Sequence, residues 1–346
     1  MQPDINFWTG KRVCVTGGTG FFGWHIVQQL RALTPHVRIF GLPPASKRLA
    51  AQLKEFECVF GDVRDAAAVA RALHDCQIVF HTAGPVAVWG PILRDMRAIH
   101  VQGTENILRA LPHEARLVHT SSVVAVGAAK GPQALTEDAA FNLRSIRVDY
   151  VHAKKEAEEL ALTAAAAGQD VVVVNPSYMV GPMDYERSVM GRFCVRFWLN
   201  VVPLIPPGSF DFVDVRDAAC GALLAAERGR RGRRYILAGE HRTLREFTRH
   251  LAEIRGMSMW WRLSMPSWVY VLVAFLAECG AALWPGEPYP SPQSACISCY
   301  DWRYLHDRAR TELGFQPRPL YESLVDAHQW FQQTRVLKPI GNHRTN

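Results

Sequence analysis

The sequence predicts an α/β fold, in which a doubly wound parallel sheet carries a smaller, mostly helical C-terminal lobe. Two observations support this prediction. Short apolar runs rich in β-branched residues alternate with helical segments through the first half of the chain, as parallel strands joined by helices do. From about residue 183 the composition changes to aromatic, basic and proline-rich segments, which indicates a separate lobe. A chain of 346 residues is long enough to form both parts.

A glycine-rich turn follows the first predicted strand. Residues 13–15 form an apolar strand, and Gly17, Gly20 and Gly23 precede a helical pattern through residue 30. The first glycine allows a tight turn, the second lets a pyrophosphate approach the backbone, and the third lets the helix pack closely on the sheet. This context predicts a Rossmann-type dinucleotide site; the alternative is an ordinary glycine-rich β-α turn. The predicted cofactor contacts here are Gly17, Thr19, Gly20, Phe21, Phe22 and Gly23.

The composition limits the classes of partner. The net charge of +7 and the pI of about 9.1 favour anionic partners such as phosphates, acidic lipids or nucleic acid. No basic patch is interleaved with aromatic residues, so we do not expect nucleic-acid binding. The eight cysteines are scattered, and the pair Cys296 and Cys299 lacks a second ligand pair, so we expect no metal site. Because no signal-peptide pattern is seen, we expect a reduced, cytoplasmic protein.

The end of the second predicted strand, residues 37–40, bears on the choice of cofactor. NAD sites usually place an acidic residue there to bind the ribose 2′-hydroxyl, but residues 41–44 are Gly-Leu-Pro-Pro. Lys47 and Arg48 follow and could hold a 2′-phosphate, although they could equally form a solvated loop. The sequence therefore favours NADP over NAD and leaves both open.

Small and polar residues follow the next strands, at the edge where open parallel sheets bind ligands. Asp62 comes after the third strand and could accept from the adenine amino group or cap a helix, a role that Asp65 could take instead. Small residues after the fourth strand would let a cofactor lie flat over the strand ends. The predicted contacts at this edge are Asp62, Val63, Thr82, Ala83, Gly84 and Thr120.

Tyr150 and Lys154 lie four residues apart in a strongly helical segment, residues 149–167. This spacing puts both side chains on one face of the helix. A lysine beside a phenol favours the ionised phenolate, so Tyr150 is a candidate general acid or base near neutral pH. The alternative is an exposed Tyr-Lys pair of the kind that many proteins carry.

Taken in order, TGGTGFFG, GDVRD, HTAG, HTSSVVAVG and YVHAK resemble the motifs of the extended short-chain dehydrogenase/reductase family, within the NAD-dependent epimerase/dehydratase superfamily. The resemblance spans nearly the whole chain. It implies that Ser122, Tyr150 and Lys154 form a triad that reduces a carbonyl or oxidises a secondary alcohol, with Ser121 as the fallback serine. Ser122 would polarise the substrate oxygen, and Tyr150 would transfer the proton. Lys154 and Tyr150 would both bind the nicotinamide ribose. Lys154 would also lower the pKa of Tyr150. The same resemblance implies that the nicotinamide end of the cofactor is also contacted by Pro176 and Ser177.

Three features indicate which branch of that family the chain resembles. His100 stands where the family usually has Asn in an N-V-x-G-T motif, which could change a water relay. Ser121 and Ser122 follow Thr120 where the dehydratase branch has Asp-Glu, which argues against dehydration. The segment VVVVNPSYMVGP is closer to the dihydroflavonol-reductase and hopanoid-associated branches than to nucleotide-sugar epimerases.

The family pattern implies the division of the chain. We expect residues 8–182 to form the NAD(P)-binding domain, which about 212–238 complete. Residues 183–211 and 239–334 would form the substrate-binding lobe, and 335–346 a flexible tail.

The most apolar run covers residues 268–284, in which Glu278 alone is charged. At 17 residues it falls at the lower limit for spanning a bilayer, and Trp268 and Trp284 at its ends suit a membrane interface. A similar stretch occurs at this place in the membrane-associated 3β-hydroxysteroid dehydrogenases. The run is therefore interpreted as a core helix, a lid over an apolar pocket or a peripheral contact with a membrane surface.

These observations favour an NAD(P)-dependent oxidoreductase that acts on a secondary alcohol or ketone of a bulky, hydrophobic small molecule, such as a sterol, terpenoid, polyketide or flavonoid. One alternative is a nucleotide-sugar epimerase, for which Arg187, Arg192 and Arg196 could bind a diphosphate. Another is a non-catalytic NADP(H)-binding sensor. The sequence leaves a homodimer open.

Overall fold

The computed structural model describes residues 2–129, 131, 133–281 and 288–338. Within them, a seven-stranded parallel sheet has the order β3-β2-β1-β4-β5-β6-β10, which is the doubly wound arrangement that the sequence predicts. Its strands are β1 (Val13–Thr16), β2 (Val37–Gly41), β3 (Glu57–Phe60), β4 (Ile78–His81), β5 (Arg116–Thr120), β6 (Val171–Pro176) and β10 (Arg234–Leu237).

Helices cover both faces of this sheet because successive side chains of a strand point to opposite faces. On one face Val13 and Val15 pack with α2 and α8, and on the other Cys14 packs with α4 and α6. The helices associated with the sheet are α1 (Ile5–Trp8), α2 (Phe21–Leu30), α3 (Lys47–Gln52), α4 (Ala66–Leu73), α5 (Gly103–Ala110), α6 (Asp149–Ala166) and α8 (Val215–Arg228). The side chain of Asp65 caps α4 by accepting from the N–H groups of Ala67 and Ala68.

A π-helical turn, Ala98–Gln102, precedes α5 and carries the buried His100. Such turns are frequent at functional sites.

A second, smaller sheet belongs to the lobe. It is built on β9 (Ser209–Asp214), which pairs with β7 (Tyr178–Val180), β11 (Glu240–Thr243) and β13 (Asp301–Trp302). Residues 212–214 of the segment 212–238, which is expected to complete the NAD(P)-binding domain, therefore lie in the small sheet. The rest of that segment belongs with the main sheet: β10 is one of its strands, and α8 packs on it. The other elements of the lobe are β8 (Leu204–Ile205), β12 (Leu263–Ser264), α7 (Val189–Trp198), α9 (Leu244–Arg255), α10 (Ser267–Ala281), α11 (Pro292–Ile297) and α12 (Leu320–Gln333).

The apolar run forms α10, which is not a core helix. Its buried side chains are Tyr270 and Ala274, which pack against Ala295 of α11, while most of its large apolar side chains are exposed. None of the helices in the described part of the chain combines the length and apolarity that crossing a bilayer requires. Trp284 lies outside the described residues.

The packed chain extends beyond the predicted start of the tail at 335. Leu337 is buried, and its N–H donates to the carbonyl of Phe331 at 3.0 Å. Residues 339–346 of the predicted tail lie outside the described residues.

Candidate active site

One cavity of about 530 Å³ runs from the glycine turn after β1, over the carboxyl ends of β4, β5 and β6, into the lobe. Polar and small residues line it at the sheet, and aromatic and aliphatic side chains together with charged and polar ones line it in the lobe. Of the predicted site residues, those that line the cavity are Gly17, Gly20, Phe21, Phe22, Gly23, Thr82, Gly84, Thr120, Ser122, Tyr150, Lys154, Pro176 and Ser177.

The glycine turn is closely packed on one side and open on the other. Gly17 has a φ of +68°, and a Cβ there would lie 2.7 Å from the Cα of Ala83. A Cβ on Gly23 would lie 2.3 Å from the carbonyl oxygen of Gly17, so α2 sits directly on the turn. A Cβ on Gly20 would have a single close neighbour, the Gly17 oxygen at 3.2 Å, and this residue borders the cavity. The turn thus leaves room for a ligand at Gly20.

Three buried hydroxyl groups indicate that a polar ligand binds in the part of the cavity next to the sheet. The hydroxyl oxygens of Thr120, Ser121 and Ser177 are buried beside the cavity and have no hydrogen-bond partner among the described residues. A buried polar group without a partner is costly and rare in a folded protein. A dinucleotide that follows the strand ends would offer these groups partners, so the residues present fit such a cofactor.

Ser122, Tyr150 and Lys154 meet beside these hydroxyl groups. Ser122 follows β5, and Tyr150 and Lys154 occupy the first turns of α6. The hydroxyl of Ser122 lies near the phenol of Tyr150 and favours its ionised form. The Lys154 ammonium donates to the carbonyl oxygen of Thr120 at 2.9 Å, so it is fixed at the end of β5. The structure therefore brings the predicted triad together at the cavity wall.

Burial controls the protonation of these side chains. It raises the pKa of Tyr150 to about 12, against the nearby Ser122 hydroxyl, which lowers it. It lowers the pKa of Lys154 to about 8, against the nearby Glu158 carboxylate, which raises it. The lowered pKa expected for Tyr150 is thus absent in the protein alone. At neutral pH Tyr150 carries its proton, which is the state of a proton donor.

A buried polar layer lies behind the triad. The side-chain amide of Asn175 donates to the carbonyl oxygen of Ser122 at 3.0 Å and to Glu158 at 2.6 Å. Arg234 from the edge strand pairs with the same carboxylate at 2.8 Å. Asn175 was missed by sequence reasoning, although its place between the apolar run of β6 and Pro176 is an unusual one for a buried amide.

Some predicted cofactor residues lie away from the cavity. The carboxylate of Asp62 is held by Arg64, which keeps the pKa of Asp62 below its usual value. The hydroxyl of Thr19 donates to the carbonyl of Leu42 at 3.1 Å, beside the end of β2. Lys47 and Arg48 are exposed at the start of α3. Val63 and Ala83 complete the set of predicted cofactor residues that do not line the cavity.

His100, which departs from the family motif, packs against Tyr150. The two ring centroids are 5.7 Å apart in an edge-to-face arrangement, and His100 Nε2 lies 3.0 Å from the carbonyl oxygen of Pro85. The absent side chain of Gly84 makes room for this imidazole, because a Cβ there would lie 2.3 Å from His100 Cε1. Burial keeps the pKa of His100 well below that of a free histidine, so the ring is neutral.

The lobe wall of the cavity was not predicted residue by residue. Tyr178 follows β6 and packs edge-on against Phe210 with ring centroids 4.4 Å apart. Its position two residues after Pro176, a predicted cofactor contact, could have identified it as a residue of the cavity wall. The other large apolar or aromatic side chains of the wall come from separate loops and helices, and they include Val88, Val124, Met190, Phe193, Leu244, Tyr270, Tyr289 and Ile297.

The three arginines proposed for a diphosphate also border the cavity. The Arg192 guanidinium donates to the carbonyl of Arg187 at 3.0 Å, and that of Arg196 lies over the ring of Tyr289 at 5.4 Å. Among the described residues, no three His, Cys, Asp or Glu side chains cluster as metal ligands would.

Comparisons with known proteins agree with this geometry. Residues 13–238 match the model of the NAD dependent epimerase/dehydratase family. A protein of Synechocystis sp. provisionally named as a dihydroflavonol 4-reductase is 32% identical over 344 residues, which are 97% of this chain and 99% of that protein. Sterol demethylase protein B of Methylococcus capsulatus is 32% identical over 337 residues, or 93% of this chain and 99% of that protein.

A solved structure shows the same fold. The crystal structure of gox2253 superimposes with a TM-score of 0.82 at 28% identity, over 95% of this chain and 100% of that one. The α/β fold and the family resemblance predicted from the motifs are confirmed.

Proposed function

The chain belongs to the NAD-dependent epimerase/dehydratase family, and on this premise we propose that it is an NAD(P)-dependent oxidoreductase that interconverts a secondary alcohol and a ketone on a bulky apolar substrate. One observation carries the proposal. Ser122, Tyr150 and Lys154 stand where the part of the cavity beside the glycine turn opens into an apolar lobe.

Each residue of the triad has a role that follows from its contacts. The Ser122 hydroxyl, which lies near the Tyr150 phenol, would donate to the substrate oxygen. Tyr150 would give its proton to that oxygen in reduction and take it back in oxidation. The Lys154 ammonium, held by Thr120, would favour the phenolate that remains after proton transfer. The bound nicotinamide cofactor would supply or accept the hydride.

The apolar wall supports the substrate class. Aromatic rings such as those of Tyr178, Phe210 and Tyr270 border the same cavity as the triad. Pockets of this kind bind apolar ligands and use a few polar groups to fix their orientation. Two relatives have names that refer to a dihydroflavonol and to a sterol, which supports a bulky, ring-containing substrate.

Either NADP or NAD is compatible with the end of β2, and we propose NADP. No acidic side chain follows β2 in residues 41–44, and Lys47 and Arg48 stand at the start of α3 just beyond. Their exposure leaves both cations free to turn toward a 2′-phosphate. Calorimetric titration with NADPH and NADH tests this choice, and tighter binding of NADH would overturn it.

The first prediction concerns Tyr150. Tyr150→Phe removes the proton donor and keeps the ring, so kcat with apolar ketones should fall by about 10²- to 10⁴-fold. The Kd of the cofactor should stay within about threefold, because the phenyl ring keeps its packing. Turnover is followed as consumption of NADPH or NADH with a panel of sterol, terpenoid and flavonoid ketones.

Tyr321→Phe is the matched control, since Tyr321 is exposed on α12 and far from the cavity lining. It should leave kcat unchanged. Full activity of Tyr150→Phe would overturn the proposed mechanism. Tight cofactor binding by the wild type without turnover of any ketone would favour a non-catalytic sensor.

A nucleotide-sugar epimerase remains the second candidate because Arg187, Arg192 and Arg196 border the cavity. Guanidinium groups bind diphosphates well. Titration with UDP-sugars in the presence of cofactor separates the two functions. Micromolar binding of a UDP-sugar would favour the epimerase and count against an apolar substrate.

A further inference from the structure

The lobe carries a continuous apolar surface, which we call the apolar patch. Its members are large hydrophobic side chains that solvent reaches, and they are Leu199, Val201, Trp260, Leu263, Trp268, Val271, Leu272, Phe275 and Leu276. Trp260 is 86% exposed, Trp268 72% and Phe275 58%. Monomeric water-soluble proteins rarely leave a contiguous patch of this kind uncovered, because exposing it to water is unfavourable.

Helical geometry gathers more than half of the patch on α10. Trp268, Val271, Leu272, Phe275 and Leu276 follow the spacing i, i+3, i+4, i+7 and i+8, so they share one face of the helix. The opposite face carries Tyr270 and Ala274 and packs on α11. The outward face of α10 is therefore available to a partner.

Contacts between the segments join the remaining members to α10. Leu263 pairs with Leu204 in the two-stranded sheet, and Arg262 donates to the side chain of Asn200 at 2.6 Å. These contacts bring the segment 199–201 beside the segment 260–263, which leads directly into α10. The patch thus has one continuous outline formed by three segments.

The charges at the edge of the patch favour an anionic partner. Arg245 donates to the hydroxyl of Ser264 at 2.8 Å. Arg245 is exposed, whereas Arg262 is buried over the rings of Phe197 and Trp261, at 4.0 and 4.7 Å, so Arg245 is the cation that a partner at this edge would meet. Glu278, near the far end of α10, is the acidic side chain of this helix. The whole chain is also cationic, with a net charge of +7.

We propose that the apolar patch docks on the surface of an anionic phospholipid bilayer, with α10 lying along the interface. Exposed tryptophans at the margins, apolar side chains between them and cations beside them are the features of interfacial helices.

The same helix connects the bilayer to the candidate active site. Tyr270, on the inner face of α10, lines the cavity, so a single helix separates the apolar patch from the substrate space. An apolar substrate dissolved in lipid would enter beside α10. This last step rests on the proposed function, whereas the docking itself does not.

Vesicle flotation tests the docking without any substrate. The full chain is floated with vesicles of 70% phosphatidylcholine and 30% phosphatidylglycerol, and with phosphatidylcholine alone. The wild type should float with the anionic vesicles, and less with the neutral ones. The double variant Leu272→Glu/Phe275→Glu should partition at least roughly tenfold more weakly, because it removes two apolar side chains from the interface and adds charge.

Ile5→Glu is the matched control, since Ile5 is a similarly exposed apolar residue, at 55%, outside the patch. It should float like the wild type. Circular dichroism and cofactor titration show whether each variant is folded. Wild-type protein that stays at the bottom of the gradient, or a double variant that floats as well as the wild type, would overturn the proposal.

The oligomeric state decides whether a second copy covers the patch instead. Light scattering on a sizing column should show the same mass for the wild type and the double variant. A wild-type dimer that the double variant converts to a monomer would overturn docking on a bilayer. None of these outcomes depends on turnover, so failure of the docking and failure of the proposed function are distinguished.

Discussion

Lys154 shows how the candidate site places a charge where the fold disfavours it. Its ammonium is buried, and the contacts described for it are the Thr120 carbonyl and the field of Glu158. Burial without a directly paired carboxylate penalises the charged form. A side chain that served the fold alone would be apolar at this position, so the lysine points to a role in binding or chemistry.

The second prediction follows from that burial. Lys154→Met should stabilise the cofactor-free protein at pH 7 while turnover falls. Lowering the pKa from 10.5 to about 8 corresponds to about 3 kcal/mol at about 1.4 kcal/mol per pH unit. Loss of the hydrogen bond from Lys154 to Thr120 offsets about 1 kcal/mol of this stabilisation. We therefore expect a net gain of about 2 kcal/mol, measured by urea unfolding.

The lowered pKa of Lys154 also predicts how the stability difference between Lys154→Met and the wild type changes with pH. Between pH 8 and 10.5 the unfolded chain binds more protons at Lys154 than the folded protein, so wild-type stability rises with pH there. The advantage of Lys154→Met should shrink across that range. Lys54→Met, at an exposed position, should change little at any pH. A variant less stable than the wild type at pH 7 would contradict the argument.

At the scale of elements, the main sheet and the catalytic helix could be predicted because their signals are local. Apolar runs of four to six residues mark the buried strands, and the helical composition of residues 149–167 corresponds closely to α6 (Asp149–Ala166). The helix also places Tyr150 and Lys154 on one face, whereas Ser122, which follows β5, is assigned to the triad by the resemblance to the family.

The small sheet and the lobe wall could not be predicted in this way. β13 (Asp301–Trp302) is a two-residue strand that pairs with Ser209 and Phe210, far away in the sequence. So short a segment has no periodicity, and its pairing depends on the tertiary fold. Tyr270 lies on α10 and Tyr289 shortly before α11, and both line the cavity because of the tertiary fold, so no local pattern identifies them.

The third prediction concerns the contact between α2 and the glycine turn. In Gly23→Ala the new Cβ would fall 2.3 Å from the Gly17 oxygen and 2.6 Å from the Thr82 hydroxyl, and a backbone oxygen cannot rotate away. The helix must shift, which should cost about 1–3 kcal/mol. Because the same turn borders the cavity, cofactor affinity should fall at least roughly tenfold. Urea unfolding and calorimetry measure the two effects.

Gly280→Ala provides the control for helix propensity. Gly280 lies in α10 with no atom within 4 Å of an added Cβ, so alanine should be neutral or stabilising by up to about 1 kcal/mol. If Gly23→Ala behaved like Gly280→Ala, the close contact between helix and turn would not be a constraint on this fold.

At the scale of the whole molecule, the lobe and the sheet domain share one core. A single buried cluster contains Val123 and Tyr150 from the sheet side together with Phe197, Phe212 and Trp302 from the lobe. The candidate active site lies at this junction, so the orientation of the lobe fixes the apolar wall relative to the triad. We expect substrate specificity to reside in the lobe and the proton chemistry in the sheet domain.

Buried histidines in the sheet domain make the stability of the whole molecule depend on pH. His25, His81, His100 and His119 are all nearly inaccessible. Burial lowers the pKa of His25 to about 4 and that of His81 to about 3, and it keeps those of His100 and His119 well below the usual value. The neutral forms are held in the interior, for example by the 2.8 Å contact between His81 Nδ1 and the Thr16 hydroxyl.

The fourth prediction is that the free energy of unfolding falls as the pH falls from about 6.5 toward 4. In that range the unfolded chain binds protons at these histidines and the folded protein does not, so acid favours unfolding. Each such histidine contributes up to about 1.4 kcal/mol per pH unit to the slope. Urea titrations at several pH values, followed by circular dichroism, measure it.

His119 lets this account be tested at one position. Both of its ring nitrogens lack a hydrogen-bond partner in the described part of the chain, so His119→Leu sacrifices no hydrogen bond. The variant should be more stable at pH 7 by about 1–3 kcal/mol, since it removes an unsatisfied polar group. It should also lose stability less steeply with acid. His113→Leu, at a fully solvated ring, should keep the wild-type slope. An unchanged slope in His119→Leu would assign the acid sensitivity to other groups, such as the carboxylate of Asp214, which is paired with Arg216 and has a lowered pKa.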